Sequence, residues 1–153
     1  MNQIAELLPA EHVVLGVAAS SKAQLFDAIG RLFETTRGVP RNMVVDSLGA
    51  RERLGSTGLG QGIAIPHGRI KGLAQAQGAF ARLAAPIPFD APDGKPVSQV
   101  FVLLVPEQAT EQHLQLLSEL AEMFSDRRFR DALAAASSPQ ALHALFLQWK
   151  SVA

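Results

Sequence analysis

The 153-residue chain contains no cysteine. That excludes disulfides, thiolate metal sites and a cysteine nucleophile, and it fits a reducing compartment. Net charge is missing too: 14 basic side chains balance 14 acidic ones. No overall basic field therefore points to nucleic acid or to an anionic membrane surface. No run approaches the ~20 apolar residues of a membrane span. The N-terminal MNQIAELLPAEH has no long apolar core, so it does not read as a signal peptide. Internal repeats, low-complexity segments and interdomain linkers are also lacking. Together these absences predict a soluble, cytoplasmic protein with a single domain over 1–153, long enough to bury a good core.

What is present alternates between strand and helix signals. HVVLGVAA (12–19) is short, apolar and β-branched, as a strand should be. Ser20 or Ser21 can cap the helix that follows, in which Leu25, Phe26, Ile29, Leu32 and Phe33 recur at helical spacing, with Gly38 after its end. Pro40 at a first helical position opens a second helix through Met43, Val44, Ser47 and Leu48 to Arg53, and Gly55 stops it. Ile63–Pro66 reads as a short strand, 76–85 as a strand, 86–96 as a loop and 97–106 as a strand. The run Val100–Val105 is apolar on both faces, which suits a central strand covered from both sides. Thr110 can cap a helix running to about Ser125. Two more helices follow, over 127–136 and from the Ser138 cap and Pro139 to Lys150. The pattern predicts an α/β fold, a mixed sheet between two helical layers.

The unusual stretch is GSTGLGQGIAIPHGR (55–69). As a phosphate loop it fails, because Gln61 and Gly62 stand where a P-loop needs Lys and Ser/Thr. As a dinucleotide fingerprint it fails because Ile63 replaces the third glycine and a strand follows where a helix should begin. The remaining chemistry belongs to His67. Pro66 fixes its own φ and biases Ile65 toward extended structure. Gly68 removes a side chain beside the ring, and glycines at 58, 60 and 62 permit tight turns and close approach. A neutral imidazole is a good nucleophile near pH 7. The same pattern also suits a structural histidine at a strand end.

RERLGSTGLGQGIAIPHG (51–68) resembles the active-site signature of the fructose/mannitol-class (type 2) enzyme IIA domains of the bacterial phosphoenolpyruvate-dependent phosphotransferase system. The specific part runs Leu59, Gly60, two spacers, Ile63, Ala64, Ile65, Pro66, His67, Gly68. Residues 86–124 are similar as well, and the order of elements fits nearly the whole chain. The GSTG opening, the isolated IIA length and the LLVP run look most like the nitrogen-regulatory branch, whose members signal rather than feed a sugar permease. The resemblance implies that His67 is phosphorylated on a ring nitrogen by a histidine-phosphorylated HPr-like carrier. The phosphoryl group is then transferred, not hydrolysed, and the phosphorylation state selects regulatory target proteins as partners. It implies no cofactor, metal, nucleic acid or membrane insertion. Two further readings stay open: a sugar-specific IIA component that passes phosphate to a IIB protein, and a docking regulator without chemistry.

By the same resemblance His113 is the second histidine of the site. Its position in the first turn after Thr110, on one face with Leu117, Leu120 and Phe124, agrees with that, since a helix N-terminus suits phosphate. Arg51 matches a family arginine at the end of the preceding helix, and a guanidinium can grip phosphate oxygens. Gln61 stands where some members carry a carboxylate. His12 and His143 read as structural or solvent-facing. A zinc site from His67 and His113 lacks a third ligand. Residues 37–82 hold Arg37, Arg41, Arg51, Arg53, Arg69, Lys71 and Arg82 against Asp46 and Glu52, a surplus that surrounds His67 in sequence.

Overall fold

The computed structural model describes residues 2–108 and 110–150. In chain order the elements are α1 (Gln3–Leu7), a 3₁₀ turn (Ala10–His12), β1 (Val13–Val17), α2 (Lys22–Arg37), α3 (Arg41–Arg53), β2 (Gly58–Gly60), β3 (Ile63–Ala64), β4 (His67–Ile70), β5 (Gln77–Ile87), β6 (Val97–Pro106), α4 (Thr110–Ser125), α5 (Arg127–Ala135) and α6 (Pro139–Gln148). The sheet is mixed and runs β1-β5-β6-β3-β2, with β4 also paired to β6. β5 and β6 are antiparallel; β1 joins β5, and β3 and β4 join β6, all in parallel.

β6 is buried along its apolar run, as its sequence demands, and its side chains divide by parity. Val100, Val102 and Leu104 enter one core with Leu25, Phe26, Ile29 and Phe33 of α2 and Val44 and Leu48 of α3. Phe101, Leu103 and Val105 enter the other with α1, Leu116 and Leu120 of α4, Phe129 of α5 and Phe146 of α6. The result is the expected sheet between helical layers. Ser21 is the N-cap of α2, accepting from Gln24 N–H, and Gly38 ends that helix at φ 70°. Ser138 caps α6, with Pro139 in its first turn.

Several boundaries differ from the sequence reading. Pro40 is the N-cap residue, with the helix starting at Arg41. β5 continues through Pro86 and Ile87, beyond a break in its register with β6, because Ile87 still finds a buried place. The last helix stops at Gln148. The capping expected of the Thr110 side chain lies outside what is described. The short strand expected over 63–66 is two strands. Ile63 and Ala64 pair with Gln99 and Val100, and His67 to Ile70 pair with Leu103 to Pro106, at one constant offset. The register carries straight through Ile65 and Pro66, but Pro66 has no N–H to donate, so the ladder is interrupted there and resumes at His67.

Candidate functional site

β4 places His67 at its first residue, and alternation along the strand points the ring to the α4 side of the sheet, opposite Ile70. Gly68, between them, turns to the other face. A Cβ there would collide with Ser47 Oγ of α3. Gly68 is therefore bare so that α3 can lie close, not to open the imidazole to solvent. Ser47 fastens the same contact by donating to the Arg69 carbonyl at 2.8 Å.

His67 Nδ1 lies 2.8 Å from the Ile65 carbonyl oxygen. A carbonyl only accepts, so Nδ1 carries the proton and the Nε2 lone pair is free. Nε2 has no hydrogen-bond partner among the described residues. The His113 ring stands edge-on at 5.2 Å between centroids, with planes at 80°. Burial holds the His67 imidazole below its ordinary pKa; the Ile65 bond opposes this, the Arg51 charge adds to it, and the Glu52 charge opposes it. His113 is held low first by burial, then by the fields of His67, Arg69 and Arg51. The site thus favours two neutral imidazoles beside cationic groups. Among the described residues no group of three or more His, Cys, Asp or Glu could hold a metal ion.

Arg51 sits at the end of α3 and donates from Nη1 to the Gly55 carbonyl at 2.9 Å. That bond ties the helix end to the glycine-rich stretch, and among the described residues the other guanidinium donors are unspent. Gln61 occupies a tight turn between β2 and β3. Gly60, Gln61 and Gly62 all have positive φ, at 90°, 58° and 78°, the two-residue hairpin geometry that glycine favours. Gln61 is exposed, and its backbone N–H donates to Asp93 at 2.9 Å. The approach that the glycines allow is made by this chain itself. A Cβ on Gly58 would lie 2.9 Å from the Ala91 Cβ, and one on Gly60 would lie 3.2 Å from Asp93 Oδ2. The 88–96 segment thus takes up the close approach at Gly58 and Gly60, while a Cβ on Gly62 would come no nearer than 3.5 Å to Ser98 Oγ.

The other histidines are placed as structural groups. His12 is fully buried, with Nδ1 2.9 Å from the Gly78 carbonyl and Nε2 2.7 Å from Thr36 Oγ1. His143 reaches the Leu8 carbonyl at 2.9 Å through Nε2. The basic surplus is dispersed. Arg37 pairs with Glu11 and Arg41 with Asp27, and Arg82 donates to carbonyls at the end of α5. The Arg51 and Arg69 fields do reach the histidine pair. In the sequence Arg69 is only one of the basic surplus, although its i+2 spacing from His67 puts both on one face of a strand. Glu52 belongs to the 51–68 signature, but the sequence gives it no role. Its side chain is 6% exposed and ion-pairs with Lys22 at 3.5 Å.

Residues 6–149 match the family model described as "Phosphoenolpyruvate-dependent sugar phosphotransferase system, EIIA 2". The chain is 41% identical over 146 residues to a nitrogen regulatory protein of Pseudomonas aeruginosa, covering 94% of each. It superposes on the crystal structure of nitrogen regulatory protein IIA-Ntr from Neisseria meningitidis with a TM-score of 0.88 and 51% identity, over 94% of this chain and 99% of that one. The IIA mannitol structure from Escherichia coli shares the fold at 22% identity, with a TM-score of 0.74 over 90% of this chain and 96% of the other.

Proposed function

The chain belongs to the EIIA 2 family of the phosphoenolpyruvate-dependent sugar phosphotransferase system, and on that premise we propose that it carries a phosphoryl group on His67 Nε2 in a regulatory role. The observation that carries the assignment is the 2.8 Å bond from His67 Nδ1 to the Ile65 carbonyl. It commits the proton to one nitrogen and leaves the other as nucleophile.

The donor is a histidine-phosphorylated carrier protein of the HPr type. The Nε2 lone pair attacks phosphorus, the P–N bond of the donor breaks as the new P–N bond forms, and the electron pair of the broken bond returns to the donor ring. Nδ1 keeps its proton, and the Ile65 carbonyl stabilises the charge on the phosphorylated ring. Arg51, Arg69 and the His113 N–H offer charge and donors to phosphoryl oxygens, whose negative charge grows at the acceptor. Exposed Leu54, just before the glycine-rich stretch, and exposed Leu59, within it, suit a protein partner. The regulatory role is supported by relatives of this length that bear the name nitrogen regulatory protein. About two added negative charges at His67 alter which proteins dock there.

Incubation with labelled phosphoenolpyruvate and the general carrier proteins tests the reading. The expected product is an acid-labile, base-stable phosphoramidate that mass spectrometry places on His67. Label on another residue, or label retained by His67→Ala, overturns it. Partners captured by His67→Ala and by His67→Glu should differ and include no sugar permease component. Rapid transfer from His67 to a sugar-specific IIB protein, with sugar uptake lost on deletion, would favour the transport reading.

A further inference from the structure

We propose that Glu52 is a positioning residue for His67: it acts through Thr57 and the Ile65 peptide to hold the imidazole in its Nδ1–H tautomer. The inference rests on the reading of His67 as phosphoryl acceptor, and it concerns how that acceptor is prepared.

The contacts form one continuous chain. Both Glu52 carboxylate oxygens lie 3.0–3.1 Å from the Thr57 N–H and 3.0 Å from its hydroxyl. Thr57 is itself only 7% exposed, so these bonds are made away from water, where losing one costs most. The Thr57 carbonyl accepts from Ile65 N–H at 3.0 Å, and the next carbonyl, that of Pro66, accepts from Leu103 N–H at 3.0 Å. The Ile65 carbonyl between these two anchors accepts the His67 Nδ1 proton. Pro66 supplies no N–H, so the hairpin bond at Thr57 is what locates the Ile65 peptide from its own side. Lys22, 3.5 Å from Glu52 and 3.5 Å from Asp90, offsets the buried carboxylate and lies 4.7 Å from the Phe89 ring centroid.

A buried carboxylate close to a phosphoryl acceptor is a liability if its field is what matters, because it repels the incoming group. Its charge, however, ranks below burial, the Ile65 bond and Arg51 among the influences on His67. Its bonds to Thr57 are its larger effect. Without them the hairpin is free to shift, the Ile65 carbonyl leaves its place, and the proton redistributes between the two ring nitrogens. Every molecule protonated at Nε2 has lost its nucleophile.

The test is ¹⁵N NMR of the imidazole rings in unphosphorylated protein, combined with single-turnover labelling by the phosphorylated carrier. Wild type should show one His67 tautomer, protonated at Nδ1. Glu52→Ala should show a mixture with the Nε2–H form and label ~100-fold more slowly at saturating donor, the order that a misplacement of about 1 Å costs. The donor concentration for half-saturation should not change. Thr57→Val, which removes only the hydroxyl, should shift the tautomer part of the way, and Thr57→Ser should restore it. Unchanged tautomers in Glu52→Ala and Thr57→Val overturn the proposal, as does an Nε2–H tautomer in wild type. If Glu52→Ala does not fold, the Thr57 pair decides. The tautomer is read without any phosphoryl donor, so a wild type that takes no label would defeat the acceptor reading and leave this measurement standing.

Discussion

His67 must be neutral to accept a phosphoryl group, and the structure keeps it so by burial first and by the Arg51 charge after the opposing Ile65 bond. An NMR titration of the ring should therefore give a midpoint below the ~6.5 of an ordinary histidine. Labelling should persist into mildly acid solution and fall only through that lower value. Arg51→Gln removes a cation that disfavours the protonated ring, so the midpoint should move up; no upward movement would show that the guanidinium does not act on His67. The same side chain and His113 are also expected to stabilise the transferring group. His113→Ala and Arg51→Ala should fold, keep His67 as the labelled residue and label ~100-fold more slowly, the usual cost of losing one preorganised donor. A wild-type rate in either would reduce that residue to its structural role, which for Arg51 is the bond to Gly55.

The elements that matter most are α3 and β4, because their contact sets where His67 stands. The closeness of that contact depends on Gly68 having no Cβ. Gly68→Ala should force the helix and strand apart and destabilise the fold by about 1–3 kcal/mol, the typical cost of overpacking, measured by urea unfolding. Labelling should slow as well, since the shift acts on the residue next to the proposed acceptor. Removing the opposing hydroxyl with Ser47→Ala or Ser47→Gly in the Gly68→Ala background should recover part of both losses. Additive effects in the double variants would mean that the two residues do not compete for the same space.

Over the whole molecule, three histidines lean the same way. His12, His67 and His113 all have folded pKa values lowered first by burial. A group with a lowered folded pKa takes up its proton more readily in the unfolded chain. Stability is then fully present above about 6.5, and it declines as pH falls from there toward the folded values. Unfolding free energy should therefore be higher at pH 7.5 than at pH 5.5. His12 joins the 3₁₀ turn to β5 and α2 through Gly78 and Thr36. His12→Gln should lower stability at pH 7.5 and flatten the slope, leaving the part due to His67 and His113. A slope unchanged in His12→Gln would show that the buried imidazole does not report on folding.

The sequence alone determined the sheet between helical layers, the central strand, a helix cap at Ser20 or Ser21 and another at Ser138, and His67 as the residue to examine. Each of those is a local signal. A six-residue apolar run, a serine before a helical period and an imidazole between proline and glycine are all read within one or two turns of chain. Tertiary structure alone decided the rest, because the deciding contacts join residues far apart in sequence or pass through the backbone. The β2–β3 hairpin was invisible because glycines that turn a chain look like glycines that admit a ligand, until Ala91 and Asp93 fill the space. Gly68 looked like an opening because nothing near it in sequence names Ser47 as its neighbour. Arg69 was one charge among seven, and only folding separated it from Arg37, Arg41 and Arg82. Glu52 stands inside the 51–68 signature, but its task was not legible there: its partners are Lys22, thirty residues away, and a backbone path through Thr57 and Ile65, and a hydrogen bond to a main-chain atom leaves no residue type behind for a pattern to find.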